Sequence, residues 1–243
     1  MTYAETPSSA PTPKPPAAAG SASLPDGRLA FGLRGFGPLG ILAIVVILLG
    51  NALVIPLSAL LILAWVRLSH TPWREIGYGR PTSWLRAIVV GIGFGIAFKL
   101  TMKAVVMPLL GAEPVNPAYH YLAGNRAAIP YTLYAMIVGA GFGEETSFRG
   151  FLFERLGKLF GHGVRAKTLI VLLTSILFGL AHYSVQGLTG TEQATIVGLV
   201  FGTIFARTGR IWMLMFAHAA FDLTAYAMIY WDLETRVAHL VFK

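Results

Sequence analysis

Residues 129–150, IPYTLYAMIVGAGFGEETSFRG, decide the fold of this chain. The run 129–142 carries no charge, and two adjacent carboxylates, Glu144 and Glu145, and the cation Arg149 follow it. Ionisable side chains at membrane depth are costly, so they face the protein interior and usually mark function. The stretch therefore predicts a membrane-spanning helix that carries part of a buried site.

The composition of the whole chain is also that of a membrane protein. Of its 243 residues 55% are hydrophobic and 12% are charged, with a mean hydropathy of +0.65, whereas soluble domains have about 25% charged residues. The absence of cysteine excludes disulfides, iron–sulfur clusters, thiol catalysis and cysteine-based zinc sites. The net charge of +8 lies mostly in short loops rather than in a basic stripe with aromatics, so nucleic acid is not an expected partner.

The apolar runs predict an all-α, polytopic transmembrane helical bundle of about six spans, within a range of five to eight. Residues 1–37, rich in Pro, Ala and Ser, are predicted to be a disordered tail, and residues 38–243 a single membrane domain. The first apolar segment contains Asn51 and Pro56 and is too short for two crossings, so one long kinked helix is predicted there. The predicted spans are 39–66, 87–110, 129–153, 168–184, 194–206 and 211–231.

Basic residues distinguish the two sides of the predicted membrane domain. Ten of them lie in the loops 67–86, 155–167 and 207–210, whereas the loops 111–128 and 185–193 together hold only Arg126. The positive-inside rule places the ten in the cytoplasm. A single kinked first span then leaves both termini outside, whereas a hairpin or re-entrant first segment moves the N-terminus inside. We expect a multi-pass protein of the bacterial inner (plasma) membrane, with membrane lipid as a partner.

The first polar cluster predicts a division of labour between its two carboxylates. On a helix Glu145 and Arg149 share a face, so they are predicted to form a buried ion pair, whereas Glu144 points elsewhere. A carboxylate without a neighbouring cation in a low-dielectric site is suited to act as a general base on a water molecule. The alternative is that both carboxylates are structural.

Two further clusters place histidines at membrane depth. Phe178 and His182 share a helix face, and so do His218 and Asp222, which either hydrogen-bond each other or both face a ligand. A histidine in a span needs polar partners, and two of them with a carboxylate on a third helix favour a site. Four other histidines lie in loops or near the end of the chain, outside any such polar cluster, and are predicted to lie at the surface: His70, His120, His162 and His239.

Lys99 and Lys103 lie one turn apart in the second predicted span. In one interpretation Lys103 extends to the membrane interface and Lys99 pairs with Glu144 or Glu145. In the other, one of the two lysines holds a substrate carboxylate. Glycines four apart occur in three spans, and they indicate either close helix–helix approach or simply the high frequency of Gly in membrane helices. The pairs are Gly91/Gly95, Gly139/Gly143 and Gly198/Gly202.

The order Glu-Glu-x-x-x-Arg, Phe-x-x-x-His and His-x-x-x-Asn/Asp in successive helices resembles the CAAX-protease and bacteriocin-processing family of intramembrane proteases. The resemblance covers residues 128–232 and extends to Trp-Arg-Glu-Ile-Gly at 73–77. It implies that Glu144 and His182 activate a water molecule against a peptide bond near the C-terminus of a membrane-associated protein or peptide, prenylated ones included. It also implies that His218 and the residue four positions later steady the oxyanion.

The residue at position 222 departs from the prenyl-protein members, where it is Asn. An ionised Asp222 cannot donate a hydrogen bond, so it is protonated, orients His218 or binds a metal. Two mechanisms therefore stay open: glutamate-dependent hydrolysis without a metal, or a single divalent metal, zinc by preference. The candidate metal ligands are Glu144, His182, His218 and Asp222.

The candidate catalytic residues are thus Glu144, Glu145, Arg149, His182, His218 and Asp222, and the candidate substrate-binding residues are Phe178 and Lys99. The family is commonly classed with the metalloproteases. The alternative to an enzyme is a catalytically silent membrane scaffold or bacteriocin-immunity protein that binds a peptide in the same cavity. A transporter is disfavoured because the sequence shows no inverted repeat.

Overall fold

The computed structural model describes Met1 and residues 25–242, in which all regular structure is helical. The all-α fold class is therefore confirmed. Short 3₁₀ turns at Trp73–Ile76, His120–Leu122 and Arg126–Ala128 connect the longer elements. The longer helices are α1 (Pro25–Arg34), α2 (Pro38–Leu49), α3 (Leu57–Leu68), α4 (Trp84–Leu109), α5 (129–160), α6 (164–186), α7 (188–208), α8 (Trp212–Tyr230) and α9 (Glu234–Ala238).

Three helical runs of the described residues are long and apolar enough to cross a membrane: Trp84–Leu109, Val164–Thr208 and Trp212–Tyr230. A fourth arises if Gly27–Arg34 and Pro38–Ala52, which meet at a 64° bend, count as one span. The second run is broken at Gly187, whose φ of 62° and ψ of −160° are not helical. Its halves α6 and α7 run antiparallel, because a Cβ on Gly198 would lie 2.8 Å from the Cα of Ser175 and one on Gly179 would lie 2.9 Å from the Thr191 carbonyl oxygen. Two separate helices were predicted here, and a single glycine makes the turn between them.

The predicted long first helix, 39–66, is wrong, because the segment folds into a hairpin of α2 and α3. Two reciprocal hydrogen bonds close its tip: the backbone N–H of Asn51 donates to Ser58 Oγ at 2.9 Å, and the backbone N–H of Ser58 donates to Asn51 Oδ1 at 2.9 Å. Each helix has 12 residues. At 1.5 Å per residue each spans about 18 Å, short of the ~30 Å hydrocarbon core. Neither helix is therefore long enough to cross the membrane, and the hairpin has the length of a re-entrant element.

The N-terminal prediction needs a second correction. The tail predicted for residues 1–37 extends too far, because α1 is helical at Pro25–Arg34, where Leu33 is buried and its carbonyl accepts a 3.0 Å hydrogen bond from Trp65 Nε1. Residues 2–24 of that prediction lie outside the described residues. The Arg34 guanidinium donates to the His70 carbonyl, which brings the end of α1 to the 67–86 loop. The hairpin alternative for the N-terminus is thus the one that the geometry favours.

Helix α5 carries the first polar cluster and is wound unusually. It begins as an α-helix at Ile129–Tyr134, becomes a π-helix over Ala135–Glu144 and Thr146–Leu152, and ends as an α-helix at Phe153–Phe160. π-Helical turns are rare and occur frequently at functional sites. The hairpin tip packs on this helix, since a Cβ on Gly139 would lie 3.0 Å from Ile55 Cγ2. Helix α8 approaches two residues further along, at Gly141, which the spacing of the glycines did not predict.

Helices α4 and α8 lie side by side and parallel at the centre of the bundle. A Cβ on Gly91 would lie 2.6 Å from the Met213 carbonyl oxygen, and one on Gly95 would lie 2.1 Å from that of Ala217. The predicted close approach at this glycine pair is confirmed. The outward faces of the helices carry exposed apolar side chains, among them Leu85, Val89, Leu172, Ile176 and Leu180. Such a surface is suited to lipid rather than to water.

Candidate active site

Glu145 is the centre of a buried polar network. Its side chain is fully buried, and its Oε1 accepts hydrogen bonds from Arg149 Nη1 at 2.8 Å and from His218 Nδ1 at 2.7 Å. The predicted Glu145–Arg149 pair is therefore present. The contact to His218, on α8, joins the first and third polar clusters directly. Because Nδ1 is occupied by Glu145, the other imidazole nitrogen, Nε2, is the one that faces the site.

Aromatic rings enclose the cation of this network. The Arg149 guanidinium lies over the ring of Phe178 at 4.7 Å and over that of Phe201 at 5.5 Å from the centroids. Phe178 also makes edge contacts with His182 and His218, at centroid distances of 4.7 and 5.9 Å. Phe178 was predicted to bind substrate; it lines the cavity but is only 2% exposed. Its described contacts are those of a side chain that positions its neighbours.

Glu144 has no such partners. Its side chain is 29% exposed, and its Oε2 is buried without a hydrogen-bond partner among the described residues, 3.7 Å from His218 Nε2. Asp222 Oδ2 lies 3.9 Å from the same nitrogen, too far for a direct hydrogen bond, which was one of the two alternatives for this pair. Separations of this size leave room for a bridging water or a substrate atom. The division between a paired Glu145 and a free Glu144 is as the sequence predicted.

His182 stands on α6, the second of the three cluster-bearing helices, and is half-buried. Its Nδ1 donates to the Phe178 carbonyl oxygen at 2.7 Å, which leaves Nε2 as the free ring nitrogen. No described ion pair within 4.0 Å joins His182 to Glu144, although the resemblance pairs the two residues. Any joint action on a water molecule would need that molecule to lie between them. The other four histidines are exposed, as predicted: His70, His120, His162 and His239.

A cavity of about 440 Å³ brings the second and third clusters together. His182, His218 and Asp222 all line it, and so does Lys99 from α4. Residues that the sequence analysis did not single out complete the wall, among them Tyr119, Gln186 and Gln193. Gln186 Nε2 donates to the Tyr119 hydroxyl at 3.2 Å, and burial raises the pKa of that phenol above its ordinary value. Uncharged polar residues in a loop carry no periodic signal, so the sequence could not place Tyr119 here.

The two lysines of α4 differ in their surroundings. Lys103 is buried and forms an ion pair with Glu234 of α9 at 2.8 Å, so the predicted extension of Lys103 to the interface is wrong. Lys99 is 6% exposed, and its Nζ donates to Gln193 Oε1 at 3.0 Å and lies 4.8 Å from the Phe221 ring centroid. The alternative pairing of Lys99 with Glu144 or Glu145 is not observed among the described residues. A buried cation that faces a cavity without a carboxylate within ion-pair distance is suited to an anionic ligand.

The four candidate metal ligands do not form a ligand set in this arrangement. Among the described residues no group of three or more His, Asp or Glu side chains is placed to hold a metal ion. Glu144, His182, His218 and Asp222 therefore do not fit the zinc site considered from the sequence, and no step of the chemistry below passes through a metal.

Tyr78 supports the site from the opposite end, where the 67–86 loop packs on α5. Its hydroxyl lies 2.8 Å from Thr146 Oγ1, next to Glu145 in the chain. Burial raises the pKa of Tyr78 to about 12, so the phenol stays neutral over the physiological range. The sequence analysis noted the stretch 73–77 beside it; the structure shows that this stretch packs under the polar network, with Ile76 fully buried.

Comparison with known proteins gives one match. Residues 126–224 match the family described as type II CAAX prenyl endopeptidase, Rce1-like. The matched segment contains every residue of the three clusters, from Glu144 to Asp222. No curated protein and no solved structure matches the chain.

Proposed function

We propose that this chain, whose residues 126–224 match the family described as type II CAAX prenyl endopeptidase, Rce1-like, belongs to the CAAX proteases. It would then be an integral-membrane endopeptidase that cleaves a peptide bond near the C-terminus of a membrane-associated protein or peptide. One observation carries the proposal. The free carboxylate of Glu144 lies 3.7 Å from His218 Nε2, and Glu145 holds the other nitrogen of that imidazole at 2.7 Å. A free base beside an oriented histidine that lines a cavity is an arrangement suited to hydrolysis.

Glu144 serves as the general base. Its Oε2 accepts a proton from a water molecule as the water oxygen attacks the scissile carbonyl carbon, and the carbonyl oxygen becomes an oxyanion. When the tetrahedral intermediate collapses, the carbon–nitrogen bond breaks and the leaving amine takes the proton back from Glu144. No guanidinium holds Glu144, and this suits it to the exchange, because a carboxylate held by a guanidinium binds a proton poorly.

His218 stabilises the oxyanion. With Nδ1–H donating to Glu145, the protonated imidazole has a second N–H at Nε2, on the side of Glu144 and Asp222. A donor fixed in advance costs no reorganisation when the negative charge develops. Asp222 acts through this histidine and through the charge of the site, since an ionised carboxylate cannot itself donate. His182 Nε2 supplies a second polar contact across the cavity.

Lys99 binds the C-terminal carboxylate of the substrate. It lines the same cavity as His182, His218 and Asp222, and Gln193 orients its ammonium group without neutralising it. A carboxylate bound there would keep the C-terminal residues of the peptide in the cavity and place an upstream peptide bond near Glu144. In this proposal the contact with Lys99 is what restricts cleavage to a site near the C-terminus of the substrate.

The test is cleavage of quenched fluorogenic peptides by the purified full chain in detergent. We expect Glu144→Gln to abolish turnover, and Glu75→Gln, which changes an exposed carboxylate at the far end of the bundle, to leave it unchanged. Peptides with a C-terminal amide should be poorer substrates than the free acids, and Lys99→Met should remove that difference. Tight binding of a peptide without cleavage by the unmodified chain would instead favour the scaffold or immunity protein.

A further inference from the structure

The three basic loops meet at one end of the bundle. The backbone N–H of Ile211 donates to the Gly77 carbonyl oxygen at 3.1 Å, so the 207–210 turn contacts the 67–86 loop. Lys158 Nζ lies 3.8 Å from Glu75 Oε2, and this contact brings in the end of α5. The loops that hold the ten basic residues thus lie at one end of the molecule, the basic end, although Arg155 among them is buried.

The cavity that His182, His218 and Asp222 line lies in the other half of the bundle. Its wall includes residues of the 111–128 loop, the first turns of α5, the turn between α6 and α7, and the second half of α8. Within the described residues none of its lining belongs to the loops 67–86, 155–167 or 207–210. Representative lining residues are Asn116, Tyr119, Tyr131, Gln186, Asp222 and Ile229.

Between the cavity and the basic end the protein is closely packed. Phe201, Leu214, Ile211 and Phe151 are all fully buried there, and Arg149 is 2% exposed. A separate depression of about 310 Å³ exists at the basic end, between residues 81–90 and 208–213, but no residue of the three clusters lines it. Among the described residues, the cavity that His182, His218 and Asp222 line therefore opens in the half that contains the 111–128 loop.

We infer that this site takes its substrate from the non-cytoplasmic side of the membrane. The positive-inside rule places the basic end in the cytoplasm, and the cavity opens away from that end. The substrate class is a peptide or membrane-anchored protein whose C-terminal carboxylate lies on the non-cytoplasmic side. A prenylated protein held at the cytoplasmic surface does not fit this access. That the bound peptide is cleaved rests on the proposed function, whereas the side from which it enters rests on the geometry and the charges alone.

The natural absence of cysteine makes the side of access directly measurable. Single cysteines are introduced into the full chain and exposed to a membrane-impermeant maleimide, either in intact cells or in inverted membrane vesicles. Tyr121→Cys and Ala135→Cys report on the cavity. His162→Cys, an exposed position in the 155–167 loop, reports on the basic end, and Val89→Cys, on the lipid-facing surface of α4, is the control that should react in neither preparation.

We expect both cavity cysteines to react in intact cells and His162→Cys to react only in inverted vesicles. Reaction of Ala135→Cys only from the cytoplasmic side would overturn the inference, and so would reaction of His162→Cys in intact cells. A variant that does not fold would be recognised by its loss from the membrane fraction. The labelling of the other cavity cysteine then tests the side of access.

A cleavage measurement separates this inference from the proposed function. A fluorogenic peptide with a free C-terminal carboxylate is added to right-side-out spheroplasts and to inverted vesicles that contain the full chain. Cleavage confined to spheroplasts supports both statements, and cleavage confined to inverted vesicles overturns the side of access. Cleavage in neither preparation, together with labelling of the cavity from outside, contradicts the protease proposal and leaves the side of access supported.

Discussion

The exchange Glu145→Gln should destabilise the protein far more than the same exchange at its neighbour. Glu145 and Arg149 have side-chain exposures of 0% and 2%, and Glu145 Oε1 accepts hydrogen bonds from both Arg149 and His218. Glutamine keeps the shape and one acceptor but removes the charge, so Arg149 remains as a buried cation without its counter-ion. Removing one partner of a buried ion pair costs about 3–5 kcal/mol.

The loss is measured as the unfolding temperature of the detergent-solubilised chain, followed by tryptophan fluorescence. In a domain of this size 1 kcal/mol corresponds to about 2–4 °C, so the expected fall is roughly 6–20 °C. Glu144→Gln is the matched control, because Glu144 has the same chemistry and an adjacent position but no described hydrogen bond. Its unfolding temperature should be unchanged while its activity is lost.

A double variant tests the cause of the loss. In Glu145→Gln with Arg149→Met, the unpaired cation is gone and an apolar side chain lies between Phe178 and Phe201. Part of the lost stability should therefore return. Equal unfolding temperatures for the two single glutamine variants, or a double variant less stable than Glu145→Gln alone, would refute the reasoning.

Three further predictions concern the site and the packing. Asp222→Asn should retain or gain activity, because an amide donates to an oxyanion where a carboxylate cannot. A chelator should have no effect on the rate. Elemental analysis that finds stoichiometric zinc, and less of it in this variant, would contradict the metal-free mechanism. Lys99→Met should raise KM for free-acid peptides more than it lowers kcat, and an equal fall in the rate for amide peptides would argue against a carboxylate contact. Gly95→Ala should cost about 1–3 kcal/mol, because its Cβ would meet the Ala217 carbonyl oxygen at 2.1 Å, whereas Gly93→Ala, with open space around it, should not lower the unfolding temperature.

Local spacing in the sequence predicted the parts of the site that depend on one helix. Glu145 and Arg149 are four residues apart and do form their pair, and Glu144 is free as expected. The contact from Glu145 to His218 spans 73 residues and the one from Lys103 to Glu234 spans 131, so no local pattern contains them. Glu234 belongs to a five-residue helix that follows the last predicted span, and nothing in its own neighbourhood indicated a buried partner.

The hairpin shows a different limit of sequence reasoning. Residues 39–66 have the hydropathy of a membrane segment whether they cross once or turn back, so apolar length alone could not decide between the two. The decision depends on Asn51 and Ser58, whose side chains satisfy each other's backbone N–H groups at the tip. Unpaired, those groups would be costly in lipid, and this local pairing allows the chain to reverse within the membrane.

The short reach of the α2–α3 hairpin also determines which lipids border the cavity. An 18 Å hairpin in a core of ~30 Å leaves about 12 Å of hydrocarbon uncovered beyond its tip. Ile55, at that tip, lines the cavity, so we expect acyl chains of one leaflet to border the cavity there. A substrate anchored in that leaflet could reach Glu144 by lateral diffusion, without passing through water. Turnover of a lipid-anchored peptide should therefore depend on the acyl-chain length of the reconstituted bilayer, whereas turnover of a water-soluble peptide should depend on it much less.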